Sequence, residues 1–201
     1  MEKQLIISVS REFGSGGHVI AKMLAERYGL PMYDRNLLEE IAKSRQLDSE
    51  QLYKYDEAKR NKLLSRTVRG YSSSPEDNIA QLQFDFLREK AEGGESFVVL
   101  GRCSESILRG NSGLISVFVL ADLDFRIKRT MEHENLTFEQ AKAKVAKHDR
   151  TRKAYHNNYS DSKWGDSRGY DLCIRSSVVG VEETCGAIAE FIDRKVRADN
   201  A

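Results

Sequence analysis

The first thirty residues constrain this chain more than any other part. A short apolar run, Leu5 to Val9, leads into Gly14-Ser15-Gly16-Gly17, and a stretch with apolar residues at Val19, Ile20, Met23 and Leu24 follows at once. A β-branched run bounded by glycines predicts a buried strand, and spacing of i, i+1, i+4, i+5 predicts a helix packed on one face. Gly29 and Pro31 supply its stop. Strand, glycine turn, helix is a geometry that receives anions. Successive backbone N–H groups point inward, and the helix N-terminus adds roughly half a positive charge. Glycine lets the backbone come close to the anion and take positive φ. Gly14, Ser15, Gly16, Gly17 and His18 are therefore candidate phosphate-binding residues. The competing reading is a tight turn that only joins two elements. Three glycines and an immediate helix count against it.

The loop departs from the usual G-x-x-x-x-G-K-[ST] pattern. Aligned on Gly16, the first glycine becomes Arg11, the lysine becomes Gly17 and the hydroxyl residue becomes His18. Arg11 can replace the missing charge if it folds back over the loop, and Ser15 still offers a hydroxyl. A dinucleotide fingerprint fits only from Gly14 and fails at its last glycine.

Further along, a short strand is expected at Met32–Tyr33 and a helix from about Asn36 to Ser44. A charged helix is expected over Asp48–Leu64, a loop over 65–74, and a helix opening at Ser74-Pro75 and ending at Gly93-Gly94. Ser96–Leu100 and Ile115–Leu120 read as buried strands. A helix follows Asp122, and a capping box at Thr137–Gln140 opens another through Lys147 or beyond. Tyr170–Ile174 reads as the last strand and Glu182–Val196 as the last helix. Strands alternating with helices predict an α/β fold with a mainly parallel sheet covered on both faces.

Composition narrows the partners. The 201 residues carry a formal net charge of +1, which gives no global basic field for nucleic acid and makes any anion site local. Cys103, Cys173 and Cys185 are odd in number and widely spaced, so a disulfide framework or zinc site is not expected and a cytoplasmic setting is. The N-terminus reads as too short and polar for a signal peptide, and no apolar run reaches the ~20 residues of a membrane span.

Four stretches carry a family resemblance. ISVSREFGSGGHVIAKMLAERYGLPMYDRNLL, FVVLGRCSESIL, the basic cluster KHDRTRKAYHNNY and YDLCIRSS together reach from residue 4 to about 195. They resemble the cytidylate-kinase-like proteins, in which S-R-E-F-G-S-G-G is the specific element. The resemblance implies a three-layer P-loop NTPase-like fold of about five parallel strands. It implies one domain over 1–201, with an acceptor-side insert at about 36–92 and a helical lid at about 122–168. It also implies ATP-dependent phosphoryl transfer to a nucleoside monophosphate, nominally cytidylate, with ATP and Mg2+ as cofactors and no protein ligand assigned to the metal. Asp34 and Arg35 would then lie near the acceptor, Gly101-Arg102 would present an arginine at a strand's end, and the lid would carry arginines.

Guanidiniums suit such chemistry because they stay charged and bind phosphate with two hydrogen bonds. Arg11, Arg102, Arg150 and Arg152 are the catalytic candidates, with Arg126, Arg129 and Lys153 on the lid. Each has a plainer alternative: a carboxylate-paired surface arginine for Arg102, a solvated face for Arg126 and Arg129, a charged helix end for Arg150, Arg152 and Lys153. Asp34 reads as an acceptor or metal-water group, or as the cap of the helix near Asn36. His133, His148 and His156 lack metal spacing and read as surface residues, and Trp164 reads as a loop anchor. Two other functions stay open: a nucleotide- or phosphate-binding module with little turnover, favoured by the absent lysine, and a kinase for another small hydroxylated substrate. The charged 48–74 segment fits an acceptor-site cover or a homodimer contact.

Overall fold

The computed structural model describes residues 3–34, 36–46 and 75–198, with the backbone alone of 67–68 and 71–72. Arg35 and the expected helix at Asp48–Leu64 lie outside the described residues.

Five strands form one all-parallel sheet. They are β1 (Ile6–Arg11), β2 (Met32–Tyr33), β5 (Phe97–Leu100), β6 (Leu114–Leu120) and β7 (Leu172–Arg175), in the order β2-β5-β1-β6-β7. A separate antiparallel pair, β3 (Thr67–Val68) with β4 (Tyr71–Ser72), stands where the sequence reads as loop. Strand-forming residues on either side of a two-residue interval ending in Gly70 were a hairpin signal that the run of serines masked.

Alternation along the strands sorts residues to two faces. Ile7 and Val9 of β1, Val98 and Leu100 of β5, and Ile115, Val117 and Val119 of β6 share one apolar core. That core is closed by α1 (Gly17–Tyr28) and by α7 (Val181–Ala198), through Ile20, Leu24, Ile188 and Ile192. Ile6, Phe97 and Val99 point the other way, into a second core with α2 (Leu37–Arg45) and α3 (Pro75–Glu92). Over β6 on that second face, Phe118 packs against Tyr170 and Trp164 at ring-centroid distances of 5.0 and 5.4 Å, so Trp164 anchors its loop.

Two further helices, α5 (Leu123–Glu134) and α6 (Phe138–Tyr159), form a hairpin beyond the sheet's C-terminal edge. Its small core holds Ile127, Ala141 and Val145 with Phe13 against them. The capping box is complete: Thr137 Oγ1 accepts from the Gln140 amide, and Gln140 Oε1 accepts from the Thr137 amide. α6 runs twelve residues past Lys147, because its inward stripe continues through His148, Arg152, His156 and Tyr159 at helical spacing.

Candidate active site

The glycine loop between β1 and α1 is built by close packing. Gly14 and Gly16 have φ of 81° and 82°, a region where side chains are strained. A β-carbon on Gly14 would sit 2.7 Å from the Arg126 carbonyl oxygen, and one on Gly16 would sit 2.5 Å from Val181 Cγ2. α5 and α7 therefore press on the loop from two sides. Ser15 turns inward: its Oγ donates to the Glu12 carbonyl at 2.9 Å, and Ser176 Oγ donates to the Ser15 carbonyl at 2.6 Å. Its hydroxyl thus stabilises the loop itself and does not face the cleft.

Several loop amides have protein acceptors. Glu12 N–H donates to the Val119 carbonyl at 3.0 Å, Phe13 N–H to Asp149 Oδ1 at 2.8 Å and Gly17 N–H to Ser15 Oγ at 3.4 Å. The amides of Gly14, Gly16, His18 and Val19 meet no protein acceptor among the described residues. They are the orphan donors of a helix start, and they sit where an anion gains from the helix dipole.

A cleft of about 300 Å³ opens beside the loop at the C-terminal ends of β1, β2 and β5. Arg11, His18, Asp34, Arg102 and Arg152, all singled out in the sequence, line it together with Phe13, Leu100 and His148. His18 Nε2 lies 3.0 Å from Asp34 Oδ2, which ties α1 to the end of β2. Asp34 also holds the entry to α2, since its Oδ1 accepts from the Asn36 amide at 3.1 Å. Asp34 thus steadies the turn into α2, whose N-cap is Asn36, while its carboxylate lines the cleft. Arg102 sits on a turn of three residues at positive φ, Gly101 (78°), Arg102 (61°) and Cys103 (54°), immediately before the short helix α4 (Ser104–Ile107). Two consecutive non-glycine residues in that region are strained.

The arginines of the α5–α6 hairpin separate by geometry. Arg152 is on the inward stripe: its Nη1 donates to the Arg11 carbonyl at 3.3 Å, and its guanidinium lies 5.4 Å from the Phe13 ring centroid. Arg150 and Lys153 are exposed on other faces of α6. Arg126 is only 8% exposed and lies under the loop. Its Nη1 is 2.5 Å from Asp149 Oδ2, its Nε is 3.5 Å from Glu12 Oε2, and the same Nε donates to the Ala121 carbonyl at 3.1 Å. It is a cross-tie between α5, α6 and the loop. Arg129, half-buried, is not among the cleft residues.

Behind the cleft lies a polar layer. Ser8 and Ser10, on the face of β1 opposite Arg11, meet α4: Ser8 Oγ is 2.7 Å from Ser104 Oγ, and Ser10 Oγ donates to Glu105 Oε2 at 3.3 Å. Glu105 Oε1 is 2.6 Å from His156 Nε2, both side chains being almost fully buried. The surface reading of His156 is thereby corrected. Helical spacing from Val145 through Arg152 carries it inward, and the buried carboxylate gives it a partner. His148 is also drawn in, stacked on Phe13 with centroids 4.3 Å apart and planes 8° apart. Burial, with the Glu105 charge near, raises the pKa of the neighbouring Tyr170 phenol. Phe13, Glu105, Asp149 and the two histidines escaped the sequence reading. The inward stripe of α6 was the signal for His148 and His156; Glu105 had none.

A parallel sheet in this order, with a glycine loop feeding α1 and helices on both faces, defines a three-layer P-loop NTPase-like fold. The chain belongs to the cytidylate kinase-like family, whose model matches residues 6–178. A cytidylate kinase of Staphylothermus marinus is 26% identical to it over 191 residues, covering 94% of this chain and 97% of the relative. Among solved structures, an uncharacterized protein from Eubacterium ventriosum is 42% identical, with a TM-score of 0.75 over 94% of this chain and 99% of its own. Shikimate kinase from Bacteroides thetaiotaomicron shares the fold at 12% identity, with a TM-score of 0.55 over 94% and 98%. No described helix is long and apolar enough to cross a membrane.

Proposed function

We propose that this protein transfers a phosphoryl group from ATP to a nucleoside monophosphate, nominally cytidylate. The observation that carries the reading is the convergence of Arg11, Arg102 and Arg152 on one cleft beside the bare amides of the glycine loop. Phosphoryl transfer needs alignment and neutralisation of charge spread over oxygens, with little covalent help. The loop amides suit the donor phosphates, and Arg102 and Arg152 suit the group in flight. Asp34, at the end of β2, suits the acceptor, and His18 beside it ties that end to the loop. Family membership and the cytidylate kinases among the relatives support the same class.

Mg2+ fits this site as the nucleotide's own ion. Such an ion keeps most of its waters and needs one or two carboxylates besides the phosphates. Asp34 is the carboxylate that lines the cleft. When bound, the ion would neutralise charge on the phosphates. The side chains contribute orientation and further positive charge. α6 excludes water by lying over the cleft, fixed through Asp149, Arg152 and His156.

A phosphate-binding module without turnover is the reading favoured by one observation, glycine at position 17 where the usual pattern has lysine. A coupled ADP-release assay against a panel of nucleoside monophosphates decides between the two. Stimulation by cytidylate above the other acceptors is expected. ATP that raises the melting temperature while no acceptor stimulates its consumption would leave only the binding module.

A further inference from the structure

We infer that Arg11 supplies, from the end of β1, the phosphate-directed charge missing at position 17, and that Gly17 opens the path that admits it. The inference deepens the phosphoryl-transfer reading and rests on it.

Gly17 is the first residue of α1 and, unlike Gly14 and Gly16, does not have positive φ. Its backbone would accept any residue, and glycine is a poor helix former. What requires glycine there is a neighbour. A β-carbon on Gly17 would lie 2.5 Å from Arg11 Cβ and 3.0 Å from Arg11 Cγ. The stem of Arg11 thus crosses the α-carbon of Gly17. At the other end, a β-carbon on Gly101 would lie 2.5 Å from Arg11 Nη1. The guanidinium therefore arrives over the C-terminal end of β5, next to Arg102. It borders both the cleft and a small inner cavity of about 30 Å³. The backbone that launches it is held by α6, through the bond from Arg152 Nη1 to the Arg11 carbonyl.

Lysine at position 17 and Arg11 exclude each other, because the lysine's first carbon would lie 2.5 Å from Arg11 Cβ, a clash that only glycine at one of the two positions avoids. The cation of the loop has moved from the helix to the preceding strand, and the glycine at 17 is the counterpart of that move. A guanidinium in this place stays charged and offers paired donors, where lysine offers a point charge.

A double-mutant cycle with an exchange variant tests this. The probes are Mg-ATP and inorganic pyrophosphate, titrated by calorimetry, and the melting temperature is read in parallel. Arg11→Ala is expected to weaken both probes roughly 10- to 100-fold, as for loss of one charge-assisted donor. Gly17→Ala should lower the melting temperature by about 5 °C in the wild-type background and leave it level or higher when Arg11 is replaced by glycine, which removes the β-carbon that Gly17 faces. Gly17→Lys alone should bind poorly, whereas Gly17→Lys with Arg11→Gly should return to within about tenfold of wild type. Wild-type affinity in Arg11→Ala, or equal destabilisation by Gly17→Ala in both backgrounds, would overturn the inference while leaving the phosphoryl-transfer reading standing. A wild type that binds neither probe would remove that reading, and the charge role of Arg11 with it.

Discussion

Two turns leave the same sheet edge from adjacent strands and solve different problems. The turn after β1 places glycine at its positive-φ positions, 14 and 16, and buries its one side-chain hydroxyl, Ser15. The turn after β5 places only its first positive-φ residue on glycine and then holds Arg102 and Cys103 in the same region at strain. A turn that presents backbone amides gains by having no side chains. The turn that sets Arg102 at the edge of the cleft carries two side chains at positive φ, and accepts the conformational cost. α4 and the Glu105–His156 pair sit directly behind the second turn and hold it.

The contrast can be broken at several points. Arg102→Ala should have the largest effect: phosphoryl transfer falls about a thousandfold, equivalent to about 4 kcal/mol at the transition state, while ATP binding is retained. Steady-state kinetics beside an ATP titration check this, and equal loss of both would make Arg102 structural. Glu105→Ala leaves His156 buried without its partner and should cost about 3–4 kcal/mol in urea unfolding; a loss under 1 kcal/mol would detach the pair from the support of the turn. Gly14→Ala combines strain at positive φ with a contact to the Arg126 carbonyl and should cost about 2–3 kcal/mol, together with weaker ATP binding. Cys103→Ala is the mild counterpart, since that turn already carries a β-carbon; about 1 kcal/mol is expected. If it proves costlier than Gly14→Ala, the two turns do not divide the work as described.

Much of this arrangement was legible in the sequence, for physical reasons that can be named. Periodicity of 2 and 3.6 located the five sheet strands and most helix ends, and the capping box at Thr137 gave the start of α6 directly. The glycine loop, Arg102 and Asp34 followed from local pattern, and the structure sets Arg102 and Asp34 in one cleft beside that loop. Contacts between distant residues were not legible. Glu105 and His156 are 51 positions apart and meet only because α6 crosses α4. Arg126 looked like a solvated lid residue because nothing local announces Glu12 and Asp149 as its partners. Ser15 offered a hydroxyl to the ligand on paper, yet Glu12 and Ser176 claim its polar atoms within the fold.

The central claim is that amides between β1 and α1 receive phosphate oxygens. Amide chemical shifts followed by NMR during a titration with Mg-ATP test it most directly. The amides of Gly14, Gly16, His18 and Val19 should move together, further than any others, and saturate with the binding curve. Shifts confined to other parts of the chain, with those four unmoved at saturation, would contradict it.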